Sequence, residues 1–178
     1  LKSKNSFMNR KVSVILLVLL LPVVISTHVS WSEKDNGLMF NVDGRDVDFV
    51  GTVKDKWRTT TNTCKSVSEL DGEDPKFKLI KTAIQSFSPP DSMAIKEIYV
   101  WRSGEWAVAE VEFEKLLPAV VPIMITASST TVVGDAIWSG ITAPWKSGPF
   151  IRTYLSQRSS NIPAELLNCF EFQTVSFK

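Results

Sequence analysis

Hydrophobic and polar positions divide the chain into an apolar segment near its start and a longer part with mixed patterns. Residues 12–25 read VSVILLVLLLPVVI, an apolar run of 14 residues that follows Arg10 and Lys11. Such a run behind positive charges is typical of a secretory signal peptide, whereas a membrane-spanning helix needs about 20 apolar residues. We therefore interpret residues 1–26 as upstream residues and a signal peptide, and residues 27–178 as one exported domain. A retained N-terminal membrane anchor is the alternative.

Residues 38–74 contain two short strand-like stretches followed by a polar segment. Residues 38–42 and 47–53 are strand-like and flank Asp43-Gly44, a dipeptide that favours a tight hairpin turn. Residues 58–74 are polar and contain Cys64, which predicts a loop that its cysteine holds in place.

One helix is clearly marked between residues 74 and 87. Asp74 is a good N-cap residue and Pro75 suits the first helical position. Apolar residues then recur at helical spacing, namely Phe77, Ile80, Ile84 and Phe87. Pro89-Pro90 ends the pattern.

A hairpin is expected next, from residues 95–102 and 105–113 with Ser103-Gly104 as a two-residue loop. This loop would place Trp101 opposite Trp106 and Glu97 opposite Glu110. Alternation assigns one face to the core and an acidic–aromatic face to the other side. The core face contains Ile98, Val100, Ala107, Ala109, Val111 and Phe113. The acidic–aromatic face contains Glu97, Tyr99, Trp101, Trp106, Val108, Glu110 and Glu112.

Residues 119–126 form a further apolar strand, in which Pro122 implies an edge or a bulge. Residues 131–139 predict a last strand with a bend at Gly134, and short helices follow from Ser147 and from Pro163. The expected fold class is α+β, with one helix on a curved antiparallel sheet of about four strands and short C-terminal helices. This element order resembles the cystatin-like and NTF2-like rolls over residues 74–140, and the resemblance transfers no functional residue.

Composition narrows the chemistry. The chain has a formal charge of +1 and no basic cluster, which disfavours nucleic acid as a partner. The four basic residues before residue 27 leave 16 basic and 19 acidic residues in the exported domain, together with all six Trp. With one His and two Cys, zinc sites and Ser–His–Asp catalysis have no support, and no cofactor motif occurs.

Cys64 and Cys169 both lie in the predicted exported part, where the compartment permits a disulfide. We expect them to pair, with two unpaired buried thiols as the alternative.

The acidic–aromatic face is the candidate site. Glutamates directly opposite each other repel unless a cation or proton relieves them, and tyrosine and tryptophan beside them offer a flat apolar platform. Glu97, Tyr99, Trp101, Trp106, Glu110 and Glu112 are therefore expected to bind a protein or a cationic ligand. The predicted function is that of a periplasmic or extracellular, non-enzymatic binding protein. The alternative functions are a small-ligand carrier, or a glutamate-dependent enzyme, with a pocket inside the roll.

Overall fold

The computed structural model describes residues 4–34 and 36–177, with side chains from Val14 onward except that of Val24. The chain forms two compact units, Leu1–Val50 and Gly51–Lys178. Residues 1–3 of the predicted upstream segment lie outside the described residues. Among the helices that are described, none is long and apolar enough to cross a membrane.

The first unit begins with helix α1 (Lys4–His28) and continues into a three-stranded antiparallel sheet. Its strands are β1 (Val29–Lys34), β2 (Gly37–Val42) and β3 (Arg45–Val47). The turn at Asp43-Gly44 is confirmed, because both residues have positive φ, 50° and 83°, as a type I′ turn requires. The second strand of this hairpin was predicted over residues 47–53, but it begins at Arg45 and ends at Val47.

Helix α2 (Phe49–Thr61) corrects two predictions at once. Residues 49–53, predicted as the end of a strand, form the start of this helix. Residues 58–61, predicted as the beginning of a loop, form its end. The helix is stabilised by contacts that local sequence does not reveal, since the buried Arg58 side chain donates a hydrogen bond to the carbonyl of Asn168 at 2.6 Å.

Helix α3 (Pro75–Gln85) confirms the strongest sequence prediction. The Asp74 carboxylate accepts a hydrogen bond from the Lys76 backbone N–H at 2.7 Å and so caps the helix N-terminus. Ile80 and Ile84 are buried and face the main sheet, as the helical spacing predicted.

The main hairpin consists of β5 (Ile95–Ser103) and β6 (Trp106–Phe113), and its register differs from the prediction by two residues. The turn is Gly104-Glu105 rather than Ser103-Gly104. Gly104 takes the first central position with φ 60°, the conformation that a type II′ turn places there. Because side chains alternate with period two, a slip of two residues leaves every side chain on its predicted face.

Strand β7 (Ala119–Ile125) lies inside the sheet, although Pro122 predicted an edge or a bulge. The predicted last strand is split into β8 (Thr130–Val132) and β9 (Trp138–Ser139), which pair with different parts of β7. The Pro122 carbonyl accepts from the Val133 N–H, so the proline nitrogen points to the same side of β7. Pro122 lies between the residues of β7 that pair with β8 and those that pair with β9. Since proline has no N–H, it lacks a donor at a place where neither strand pairs with it.

The main sheet has six strands rather than about four. Its order is β4-β5-β6-β7-β8, where β4 is Ser68–Glu69, and β9 also pairs with β7. Helix α3 covers one face, and helices α4 (Ser147–Arg158) and α5 (Ala164–Cys169) pack on the other. The α+β class and both C-terminal helices are confirmed, whereas the cystatin-like or NTF2-like roll stays a prediction.

The predicted disulfide is present between Cys64 and Cys169, with 5.5 Å between their Cα atoms. It links the segment after α2 to the end of α5. The bridge joins parts of the second unit that lie 105 residues apart in the chain.

Candidate functional site

The six residues of the predicted acidic–aromatic face share one face of β5 and β6, but they differ in exposure. Glu110 is 0% exposed and Trp101 is 5% exposed. Tyr99, Trp106 and Glu112 are half-buried, and only Glu97 is exposed. Much of this face therefore lies inside the second unit, and its role in binding a partner stays a prediction.

The face is covered by the C-terminal part of the chain, here called the tail (residues 170–177). Trp101 and Phe170 place their ring centroids 6.0 Å apart, and Phe172 contacts Phe170 edge to face at 5.1 Å. Phe177 packs against Trp138 at 5.5 Å. The aromatic residues that predicted a recognition platform thus form, in large part, the core between the sheet and its cover.

The Glu110 side chain binds the backbone of the tail. One carboxylate oxygen accepts from the Gln173 N–H at 2.7 Å, and the other accepts from the Thr174 N–H at 3.0 Å and the Thr174 hydroxyl at 2.5 Å. Burial raises the pKa of Glu110 above its ordinary value, and these hydrogen bonds oppose part of that rise because they favour the charged form. A fully buried carboxylate is tolerated here because three donors satisfy it.

Glu112 is the next residue along β6 on the same face, and its pKa is shifted in the opposite direction, below its ordinary value. The Ser176 hydroxyl donates to it at 2.6 Å and lowers its pKa, with a further contribution from Lys96 at 3.5 Å. In the observed register Glu97 lies opposite Glu112, not opposite Glu110, whose partner is Tyr99. The like-charge pair predicted between Glu97 and Glu110 is therefore wrong.

A cluster of two arginines and two acids joins α2, α4 and the tail. Arg152 donates to Asp55 at 3.1 Å and to the Phe170 carbonyl at 2.7 Å, and Arg58 pairs with Asp55 and Glu171. Burial, followed by the charge of Arg58, lowers the pKa of Arg152 to about 10. No local sequence pattern predicts this cluster, because its members are separated by up to 116 positions.

On the α3 side of the sheet, an apolar cavity of about 420 Å³ opens between the end of α3, the β6–β7 loop and strands β7 to β9. Phe87, Leu116 and Leu117 are exposed at its mouth. Deeper lining residues include Ile84, Phe113, Val121, Val132 and Ile137. A side chain at Gly134 would place its Cβ only 2.9 Å from the Phe87 ring, so glycine allows that ring its close position.

The electrostatics of this cavity are simple. Of the described residues that line it, Lys115 is the only one with a charge, and it is exposed near the mouth. Three serines add hydroxyls, but Ser92 already donates to the Gln85 carbonyl at 2.7 Å. Sequence reasoning offered a pocket only as an alternative and did not identify these lining residues, because they come from positions 84 to 139 and follow no local motif.

Comparisons with known proteins supply no relative for this chain. Neither a protein-family model, nor a curated protein, nor a solved structure matches it. Among the described residues, no group of three or more histidine, cysteine or acidic side chains is arranged to hold a metal ion.

Proposed function

We propose that this protein is an exported, non-enzymatic binding protein that takes a small amphipathic carboxylate into the apolar cavity. The observation that carries the proposal is the cavity itself, whose walls are aliphatic and aromatic and whose one charged lining residue among those described is Lys115. Its volume of about 420 Å³ lies within the range of small-molecule sites, roughly 300–1,000 Å³. The ligand would bury its apolar body against Ile84, Val121 and Ile137 and direct its carboxylate to Lys115.

Export is part of this proposal. A disulfide is typical of an oxidising compartment, and Cys64 and Cys169 form one. Helix α1 carries ten exposed large apolar side chains between Val14 and Ile25. Because an exposed apolar surface of this extent is unfavourable in water, the segment fits a role in membrane targeting before cleavage.

The test is titration of the purified, oxidised protein with decanoate, decanol and decylammonium by calorimetry. Decanoate should bind best, and Lys115→Gln should lower its affinity about fivefold, toward that of decanol. Lys65→Gln, which removes an exposed charge outside the cavity, should leave binding unchanged. Ser139→Phe should fill the cavity from its rim and abolish binding of all three compounds. Absence of saturable decanoate binding, or normal binding by the Ser139 variant, would overturn the proposal.

The acidic–aromatic face supports a second candidate function, recognition of a protein or another cationic ligand. The observation in its favour is that the face already binds a peptide segment, since Glu110 and Glu112 accept hydrogen bonds from residues 173–176 of the tail. Glu97 is exposed and Trp106 is half-buried, and neither accepts or donates a tail hydrogen bond described above. Glu97→Gln and Trp106→Ala should weaken binding of a cationic peptide without changing decanoate binding, which separates the two candidates.

A further inference from the structure

A second, polar pocket lies at the other end of the main sheet, between α3, the β5–β6 turn and the loop from β7 to β8. Its volume is about 660 Å³. The charged lining residues are Lys76, Arg102 and Glu105. The β7–β8 loop adds serine and threonine hydroxyls, and α3 adds the apolar side chains of Leu79 and Ala83. Its residues are distinct from those of the apolar cavity.

Arg102 is the unusual residue of this pocket. Its side chain is half-buried, and its Nε is fully buried without a hydrogen-bond partner. Within residues 4–34 and 36–177, no acidic side chain lies within 4.0 Å of the guanidinium group. A buried donor without a partner is costly, because its interaction with water is lost and not replaced. The Nε of Arg152 is also buried without a partner, but the guanidinium groups of Arg58 and Arg152 are both paired with acids, whereas that of Arg102 is not.

Lys76 adds a second cation whose charge is not neutralised by a described residue. It is half-buried on the first turn of α3, whereas Lys78 on the same helix is exposed and pairs with Glu73 at 3.1 Å. The third charged residue, Glu105, is exposed. Two basic side chains and one acidic side chain give the pocket an excess of one positive charge. An anion bound in the pocket would offset this positive charge.

We infer that this pocket binds a phosphate or sulfate monoester of a polyhydroxylated molecule such as a sugar. The planar guanidinium group of Arg102 matches the oxygen geometry of phosphate and sulfate, and the Lys76 ammonium group adds a point charge. Serine and threonine hydroxyls together with the Glu105 carboxylate suit the hydroxyls of the ligand. Leu79 and Ala83 offer an apolar surface to its C–H groups.

Calorimetric titration with glucose monophosphate, glucose monosulfate, glucose and inorganic phosphate tests the inference. At least one monoester should bind saturably, and its affinity should exceed that of glucose at least about tenfold. Comparison of the two monoesters identifies which acid the pocket prefers. Equal affinity for inorganic phosphate would overturn the polyhydroxylated part of the proposal, and absence of monoester binding would overturn the site.

Variants locate the binding. Arg102→Gln should reduce monoester affinity at least about tenfold, Lys76→Gln should reduce it about fivefold, and Lys78→Gln should leave it unchanged. Circular dichroism and thermal unfolding establish that each variant is folded. If Arg102→Gln does not fold, Lys76→Gln and Arg102→Lys decide the matter, because both should weaken binding. Normal monoester binding by Lys76→Gln together with either folded Arg102 variant would refute the site.

Discussion

The two faces of the main sheet are buried in different ways. On the α3 face the buried residues are aliphatic or alanine, and Ile80 and Ile84 pack across them from a single helix. On the opposite face the core is rich in aromatic residues and includes a carboxylate, that of Glu110, with 0% exposure. Its cover comes from α4, α5 and the tail, which follow the sheet in the chain.

The difference shows how a polar group can specify which segment covers a sheet. The fully buried residues of the α3 face are apolar and need only an apolar surface of the right shape. The opposite face needs hydrogen-bond donors for Glu110, and the backbone of Gln173 and Thr174 provides them. A buried polar group of this kind adds little stability by itself, but it penalises arrangements that leave it without hydrogen-bond partners.

Removal of the disulfide should destabilise α5 and the tail, which cover the Glu110 face, more than it destabilises α3. The bridge closes a loop with a sequence separation of 105, and removal of such a bridge should lower the free energy of unfolding by about 4 kcal/mol. Because Cys169 ends α5, the Cys64→Ser/Cys169→Ser variant should lose amide protection in residues 164–177 more than in α3. Urea unfolding gives the energy and hydrogen exchange gives the location. Equal loss of protection in α3 and the tail would show that the two covers unfold as one unit.

Truncation of one buried residue on each face should show whether the covers contribute independently. Ile80 on α3 and Leu155 on α4 are both 0% exposed, so Ile80→Ala and Leu155→Ala should each cost about 3 kcal/mol. The side chains lie on opposite sides of the sheet, and the costs should add in the double variant to within about 0.5 kcal/mol. Urea unfolding of the four proteins measures this. A clear departure from additivity would mean that the sheet couples its two covers.

The α3 face was largely predictable from sequence, because its signals are local. Asp74 and Pro75 mark the start of the helix, Ile80 and Ile84 mark its buried side, and strict alternation marks the facing strands. Even the error in register left these faces intact, since it amounted to two residues. The sequence also identified both C-terminal helices and the pairing of Cys64 with Cys169.

The cover of the opposite face could not be predicted in the same way. Alternation correctly placed Trp101 and Glu110 on one face, but whether that face meets solvent depends on a tail more than 60 positions later. Helix α2 depends similarly on the contacts of Arg58 with Asn168 and Glu171. Both pockets combine residues from several elements, so neither has a motif in the sequence. Long-range contacts, rather than local propensity, determine these features.

The contributions of Glu110 and Glu112, the two glutamates that bind the tail, to the free energy of unfolding should change with pH in opposite directions. Glu110 has its pKa raised above the ordinary value of 4.5 by burial, so the folded protein binds a proton more readily than the unfolded chain. Its contribution to the free energy of unfolding therefore falls as pH rises from the ordinary value through the raised pKa. Glu112 has a lowered pKa, so its contribution is present above 4.5 and is lost as pH falls through the lowered value.

Urea unfolding of Glu110→Gln and Glu112→Gln between acidic and neutral pH tests these signs. The deficit of the Glu112 variant relative to wild type should reach about 1 kcal/mol at neutral pH, the contribution of the hydrogen bond from Ser176, and should vanish in acid. The deficit of the Glu110 variant should instead be largest in acid and shrink toward neutral pH. Glu114→Gln, an exposed change just beyond β6, serves as the control. Parallel profiles for the two variants would mean that the three donors of the tail outweigh burial at Glu110, and that both carboxylates are held by the tail as anions.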